Sequence, residues 1–369
     1  MARYSGEVVY LFAFDIAYEI PRGAVKTLLG QPAAEFVVDD SKRSPKQLFF
    51  HRPEIVRLPA VERAGPRGTV RVERTVKMLP VGAISIAVKV PFEVERLEDL
   101  VAYHDLQLDK VPLHDEVHRM AEQVRKELEP VLYQPVQKLA DEEAYTVFCF
   151  KAPLAAEGGG SIAAGEWLAA NRRGVAALLM QEEDAAAISE QESLESTARH
   201  LSYYNYDLVV TDWDAAVIVD EPQHWDQTLY LMEVANVQLA ELEAYDRLLD
   251  DAIERAYRDL TGRMRSRRGV LQELRRLKMD LARLSDELSN TTKFIGEYHL
   301  ARVYDRAASI FHLADWHRTV AQKVSMLDEL YQILSHDLFN WWMFVLEVSI
   351  VILFVLDLVL LVLVGGGKK

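Results

Sequence analysis

The feature that most constrains this chain lies near its end. Residues Met343 to Val364 read MFVLEVSIVILFVLDLVLLVLV, and 19 of these 22 are apolar. At ~1.5 Å per residue a helix of that length reaches ~33 Å, about the thickness of a bilayer's hydrocarbon core. Glu347, Ser349 and Asp357 interrupt the run. An ionised acid at a helix centre costs ~3 kcal/mol on the insertion scale, against roughly −0.3 to −0.6 kcal/mol for each Leu, Ile, Phe or Val, so the apolar sum prevails. Trp341 and Trp342 stand at the entry side, where indoles favour the interface. The alternative, a buried core helix, does not suit 22 residues with no polar face. The expectation is a single transmembrane helix over 341–364, followed by a short tail at 365–369.

The two acids read differently. Glu347 enters the helix by only ~6 Å and reaches water by extending its side chain. Asp357 lies ~10 Å from the far end, where an acid either serves a function or hydrogen-bonds between helices. The pair is ~80° apart around the helix and ~15 Å apart along it, so partners must come from another chain or from water.

The remaining composition fits a cytoplasmic bulk. The opening MARYSGEVVYLF has one arginine and then strand-like alternation, unlike a secretory signal. Cys149 is the one cysteine of 369 residues, which excludes an intramolecular disulfide and fits a reducing compartment. The expected location is therefore the inner (cytoplasmic) membrane, single-pass, with most of the chain cytoplasmic. The terminal Lys368-Lys369 mildly oppose that orientation under the positive-inside rule. The net charge of −15 divides unevenly: residues 1–92 hold 14 Lys/Arg against 9 Asp/Glu, and the remainder is strongly acidic. Such a chain disfavours non-specific nucleic-acid binding, and none is expected.

Between 222 and 340 the pattern is helical. Ala235, Leu239, Leu242, Tyr245, Leu249, Ile253, Ala256 and Leu260 mark one helix face, and Leu274, Leu277, Leu281, Leu284 and Leu288 form a heptad seam. From Val324 through Leu327, Tyr331, Leu334, Leu338 and Trp341, steps of three and four continue to Val362, which reads as a coiled coil running into the membrane. Asp357 falls at an outer position of this register. Arg263, Arg265, Arg267 and Arg268 lead a stretch with eight Lys/Arg by Arg283 and only Glu273 and Asp280. This is either a docking patch for phosphate, nucleic acid or lipid headgroups, or a solvated turn matched to Asp246, Asp250, Asp251 and Glu254.

Upstream, over 1–221, the period changes to two. Val8–Ile20 reads as a strand, Val70–Met78 and Ile84–Val90 flank Pro80-Val81-Gly82 as a hairpin, and strands follow at Tyr145–Phe150, Asp207–Val210 and Ala215–Val219. Helices are expected at about 97–107 and 113–140. Pro45, Pro53, Pro59, Pro66 and Gly68 predict a loop-rich stretch. The fold class is thus α+β: a mostly antiparallel sheet with helices, then long coiled-coil helices ending in one transmembrane helix.

No catalytic constellation emerges. Gly158–Gly160 lacks the Lys-Ser/Thr of a P-loop and reads as a linker. His114 and His118 are four apart on a helix, but Glu116 is misplaced for a metalloprotease motif and no third ligand is evident. His312 and His317 share a face poorly, and Cys149 among aromatics reads as core. Neither a metal nor a cofactor is expected.

Three stretches carry a resemblance. Ser202-Tyr203-Tyr204 precedes Asp207-Leu208-Val209-Val210 and Trp213-Asp214-Ala215-Ala216; Phe294-Ile295-Gly296 runs through to Tyr331-Gln332-Ile333-Leu334; and Leu346-Glu347 precedes Asp357 by about ten residues. Together with the opening VVYLFAFDIAYEI they resemble the family named for being required for meiotic nuclear division, found in bacteria, fungi and mitochondria. Val348 replaces an aromatic and Asp357 a glutamate of the family pattern, and 40–68 does not align. The resemblance implies a membrane-anchored, self-associating protein with no assigned catalytic residues, whose mitochondrial relatives support organellar translation. The leading expectation is a non-enzymatic, homo-oligomeric scaffold at the membrane with an unidentified protein partner. The alternatives are an ion-conducting oligomer with Asp357 near a pore and a metal-dependent hydrolase using His114 and His118.

Overall fold

The computed structural model describes residues 4–36, 53–155, 160–261, 279 and 298–365. The chain divides into two compact units, one comprising Met1–Ala244 with Asp286–His317, the other Tyr245–Ser285 with Arg318–Lys369.

The first unit is built on strands β1 (Tyr4–Asp15), β2 (Ala17–Glu19), β3 (Thr27–Leu28), β4 (Gln31–Pro32), β5 (Ala34–Glu35), β6 (Glu54–Gly65), β7 (Gly68–Met78) and β8 (Ala83–Val94). A 3-10 turn at Leu97–Tyr103 leads to β9 (Gln107–Leu108), β10 (Val111–Pro112) and helix α1 (Leu113–Leu128). Then come β11 (Tyr133–Pro135), β12 (Glu143–Lys151), α2 (Ala164–Met180), α3 (Glu190–Ala198), β13 (Leu208–Thr211), β14 (Ala215–Asp220) and α4 (Pro222–Thr261). Helices α5 (Tyr298–Ile310) and α6 (Leu313–Gly365) complete the described chain.

Eight strands form one mixed sheet in the order β13-β14-β12-β1-β8-β7-β6-β5. Its neighbours pair antiparallel except β12 with β14, which run parallel. The parallel pair follows from the connection between them: α2 and α3 carry the chain away, and β13 returns it to the edge before β14 enters beside β12.

β1 lies between β8 and β12, and every residue from Val8 to Phe14 is buried. Alternation puts Tyr10, Phe12 and Phe14 in the main core with Val117, Ala121 and Val124 of α1 and Trp167 of α2. Ala13 faces the other way, with Leu79, Ala83 and the α4 residues Val237 and Ala240. The strand is apolar on both faces because helices cover both faces. The buried Tyr10 hydroxyl donates to the Tyr103 carbonyl, which satisfies a polar atom that would otherwise cost ~1–3 kcal/mol.

From Thr228 to Leu242, α4 is buried on every side. Several polar residues of the helix are paired. Asp226 meets Lys89 at 2.8 Å, and two turns later Glu233 meets Lys77. Asn236 Nδ2 donates to the Glu143 carbonyl at 2.9 Å, and the Tyr304 hydroxyl of α5 donates to Gln238 Oε1 at 2.5 Å. Lys77 lies 4.1 Å from the centre of the Phe36 ring and 5.4 Å from that of Tyr230, so its charge sits between a carboxylate and two aromatic faces.

The β7–β8 hairpin turns at Pro80-Val81-Gly82. Gly82 has φ +97°, and a Cβ there would meet the Ala17 carbonyl oxygen at 1.7 Å. That carbonyl's neighbours explain the approach: Ile16 and Ala17 both donate their amides to the Gly82 carbonyl, at 3.0 and 3.1 Å.

Two expectations are corrected. The proline-rich stretch contains a 12-residue strand, β6, rather than a loop. Pro59 is tolerated because the β6–β7 register shifts between Leu58 and Val61, where a bulge needs no amide from it. Residues 37–52 lie outside the described residues. Helix α1 ends at Leu128, not near 140, since Pro130 follows at once. The chain then pairs Tyr133 with Glu19 and Pro135 with Ala17 as a short β-ladder.

In the second unit, Lys323 of α6 lies 2.7 Å from both Asp246 and Asp250 of α4. Burial alone lowers its affinity for a proton, but the two carboxylates outweigh that and hold its pKa above the ordinary lysine value. Val320, Val324 and Leu327 are buried along α6. Further along, Met343–Leu360 forms an 18-residue stretch of mean hydropathy 2.7, none of it buried.

Candidate functional site

The residues singled out by sequence fall in very different places. Glu347 and Asp357 are both exposed along α6, and the Ser349 hydroxyl donates to the Val345 carbonyl one turn back, at 2.7 Å. Trp341 and Trp342 belong to α6, but their side chains lie outside the described residues. So do Arg263, Arg265, Arg267 and Arg268 entirely; of the acids considered as their partners, Asp246 and Asp250 contact Lys323.

His114 and His118 share a flank of α1, and the structure supplies a third group that spacing did not reveal. Glu142 reaches them from the loop before β12: His114 Nδ1 is 2.7 Å from Oε1 and His118 Nδ1 is 3.4 Å from Oε2. Edge contacts with Phe12 and Phe14 seat the two imidazoles. The hydrogen bond to Glu142 raises the His114 pKa against the opposing effect of burial, and the same bond lowers that of Glu142. Both imidazoles turn Nδ1 to the carboxylate, so this is a hydrogen-bonded cluster. Among the described residues no group of three or more His, Cys, Asp or Glu side chains is placed to hold a metal ion.

Cys149 is fully buried in β12, and burial pushes its thiol pKa far up, which makes it a packing residue and not a nucleophile. Asp207, from the Ser202-Tyr203-Tyr204 motif, accepts the Tyr203 and Tyr204 amides at 2.6 and 2.9 Å. Tyr204 stacks on Tyr206 at 5.2 Å. That motif therefore closes a turn ahead of β13.

An open groove of about 630 Å³ lies between the β6–β7 hairpin and the opposite flank of α1. Its polar wall is Arg63, Arg74, Glu116, Arg119 and Gln123; Leu29, Leu58, Pro59, Val111 and Met120 line the rest. Strand alternation sets Arg74 opposite Leu58, on the same face as the core residues Val56, Val72 and Val76. The arginines thus point toward α1 where the sheet outruns the helix. Glu116 Oε1 is 3.3 Å from Nη1 of both Arg63 and Arg74. Asp109 takes the outer side of Arg63 and also accepts the Ala64 amide at 2.9 Å. Arg74 Nε is buried without a hydrogen-bond partner among the described residues. Arg119 donates Nε to the Asp115 carbonyl at 3.0 Å and meets no carboxylate among the described residues.

These features define an α+β domain with helices on both faces of a mixed sheet and an arginine-lined groove at one edge. Residues 5–225 match the family described as "Uncharacterized protein MJ0711, N-terminal domain", and the chain belongs to that family. It is 26% identical over 167 residues to "Uncharacterized protein MJ0711" of Methanocaldococcus jannaschii, a match covering 43% of this chain and 50% of that protein. The chain therefore spans about half the length of the curated relative it matches. No solved structure matches. Nothing in these comparisons links the chain to the meiotic-nuclear-division family.

Proposed function

We propose that the protein is a non-enzymatic scaffold held at a membrane by α6, with its α+β unit on the cytoplasmic side and its copies associated through the helical region. The carrying observation is the 18-residue stretch of α6, mean hydropathy 2.7, with no part buried. In water that surface far exceeds the apolar patch a soluble monomer presents. In a bilayer it is matched to its solvent.

Self-association follows from two features. The three-and-four spacing from Val324 gives α6 a seam suited to a second helix. Asp357 in an apolar stretch favours a neighbour that offers it a hydrogen bond. The motif-order resemblance to the meiotic-nuclear-division family supports the same architecture and is carried no further. The test is extraction of membranes from cells expressing the full chain. The reading requires that an alkaline wash leaves the protein in the pellet, that detergent releases it, and that crosslinking yields discrete multimers. Recovery in the soluble fraction as a monomer overturns it.

A further inference from the structure

The groove at the β6–β7 hairpin is independent of the membrane helix and has chemistry of its own. We infer that it binds the phosphate group of a small organic molecule, with Arg74 and Arg119 as the principal ligands and Arg63 at the rim. Three guanidiniums converge from β6, β7 and α1, and they outnumber the carboxylates that touch them, Glu116 and Asp109.

Glu116 is a loose partner. One of its oxygens serves two arginines at 3.3 Å each, longer than the ~2.7–2.9 Å of a strong charge-assisted bond. Neither arginine gets the two-pronged contact its planar fork favours. Arg74 Nε is left buried and unpaired among the described residues, a donor whose desolvation is uncompensated there. Arg119, exposed on α1, keeps its terminal amino groups without a carboxylate among the described residues.

A phosphate fits this arrangement better than a second carboxylate does. It presents oxygens in several directions, matching donors that arrive from three different elements. The volume of about 630 Å³ lies within the range of small-molecule sites. The apolar wall of Leu29, Leu58, Pro59, Val111 and Met120 offers a surface for the organic part. Glu127 steadies one rim by accepting the Leu29 amide at 2.8 Å.

The experiment is isothermal titration of the full-length protein in non-ionic detergent with AMP, with inorganic phosphate, and with soluble short-chain phosphatidylglycerol. The first two probes represent a free phosphate ligand, and the third a lipid headgroup. Saturable binding of any probe, weakened at least tenfold in Arg119→Gln and in Arg74→Gln and reduced by added salt, supports the inference and identifies the source. Arg119 is exposed, so Arg119→Gln keeps the test decisive should Arg74→Gln disturb the fold. Absence of saturable binding by all three probes, or binding that neither variant weakens, overturns it.

Discussion

The Lys77–Glu233 pair allows the sharpest quantitative prediction. Both side chains are nearly inaccessible, at 10% and 5% exposure, and they join β7 to the first unit's central helix across 156 residues of sequence. Glu233→Gln leaves the Lys77 ammonium buried beside the Phe36 and Tyr230 rings without its carboxylate. Lys77→Met leaves the carboxylate with no cation among the described residues. Breaking one half of a buried pair costs about 3–5 kcal/mol, and for a unit of this size that lowers Tm by roughly 6–20 °C. The double variant Lys77→Met/Glu233→Leu replaces two buried charges with apolar groups of similar volume, and it should return to within about 1.5 kcal/mol of the parent. The Phe36 and Tyr230 rings that flank Lys77 then pack against a thioether instead of an ammonium. Thermal unfolding of the four proteins in one detergent, followed by circular dichroism, completes the cycle. Single variants within about 0.5 kcal/mol of the parent, or a double variant showing the sum of the two losses, would refute the reasoning.

Other expectations follow from the same geometry. Glu142 raises the His114 pKa, so Glu142→Gln should bring the His114 imidazole titration, read by NMR, back down toward 6.5; no movement contradicts the pairing. The folded His114 pKa is raised and that of Glu142 lowered. The pair's contribution is therefore fully present between the unfolded values of 4.5 and 6.5, and it fades as pH rises through the folded His114 pKa or falls through that of Glu142. Burial depresses the His104 pKa to about 4. Since the unfolded chain takes up that proton first, stability should fall by roughly 2–4 kcal/mol from pH 7 to pH 4. His104→Leu should flatten that part of the Tm-against-pH curve, and an unchanged slope tells against a buried neutral ring. Gly82→Ala should cost roughly 1–3 kcal/mol from the positive φ alone and more from the contact with Ala17; an unchanged denaturation midpoint contradicts the turn geometry.

What was legible in the sequence follows from how local each cause is. The β7–β8 hairpin was readable because its period-two pattern and its Pro-Val-Gly turn are contiguous, and the β13–β14 pair for the same reason. β6 was hidden because Pro59 normally argues against a strand, and only its pairing with β7 shows the register shift that accommodates it. The buried stretch of α4 reads as one-faced in sequence, since nothing local says that a helix bearing Glu233, Asn236 and Gln238 is enclosed. Its polar partners come from β7, β12 and α5.

The groove was harder still. Arg63 and Arg74 lie 53 and 42 residues before Glu116 and meet it only once the hairpin folds over α1. In the same way Glu142, 28 residues beyond His114, completes a cluster that the spacing of His114 and His118 alone could not reveal. Long-range charge pairs of this kind depend on topology, which residue patterns report weakly. The apolar stretch of α6 is the opposite case, because its length and composition are properties of one contiguous segment.

Membrane insertion of α6 is open to direct measurement through thiol labelling, because the natural Cys149 is buried and its thiol is held protonated. A cysteine placed at Leu353, near the middle of the apolar stretch, is compared with one at Met326, an exposed position earlier in the same helix. Both proteins are reconstituted in vesicles and treated with a water-soluble maleimide. Insertion predicts rapid labelling of Met326→Cys and none of Leu353→Cys until detergent is added together with denaturant. Equal labelling rates at the two positions in intact vesicles would contradict the account.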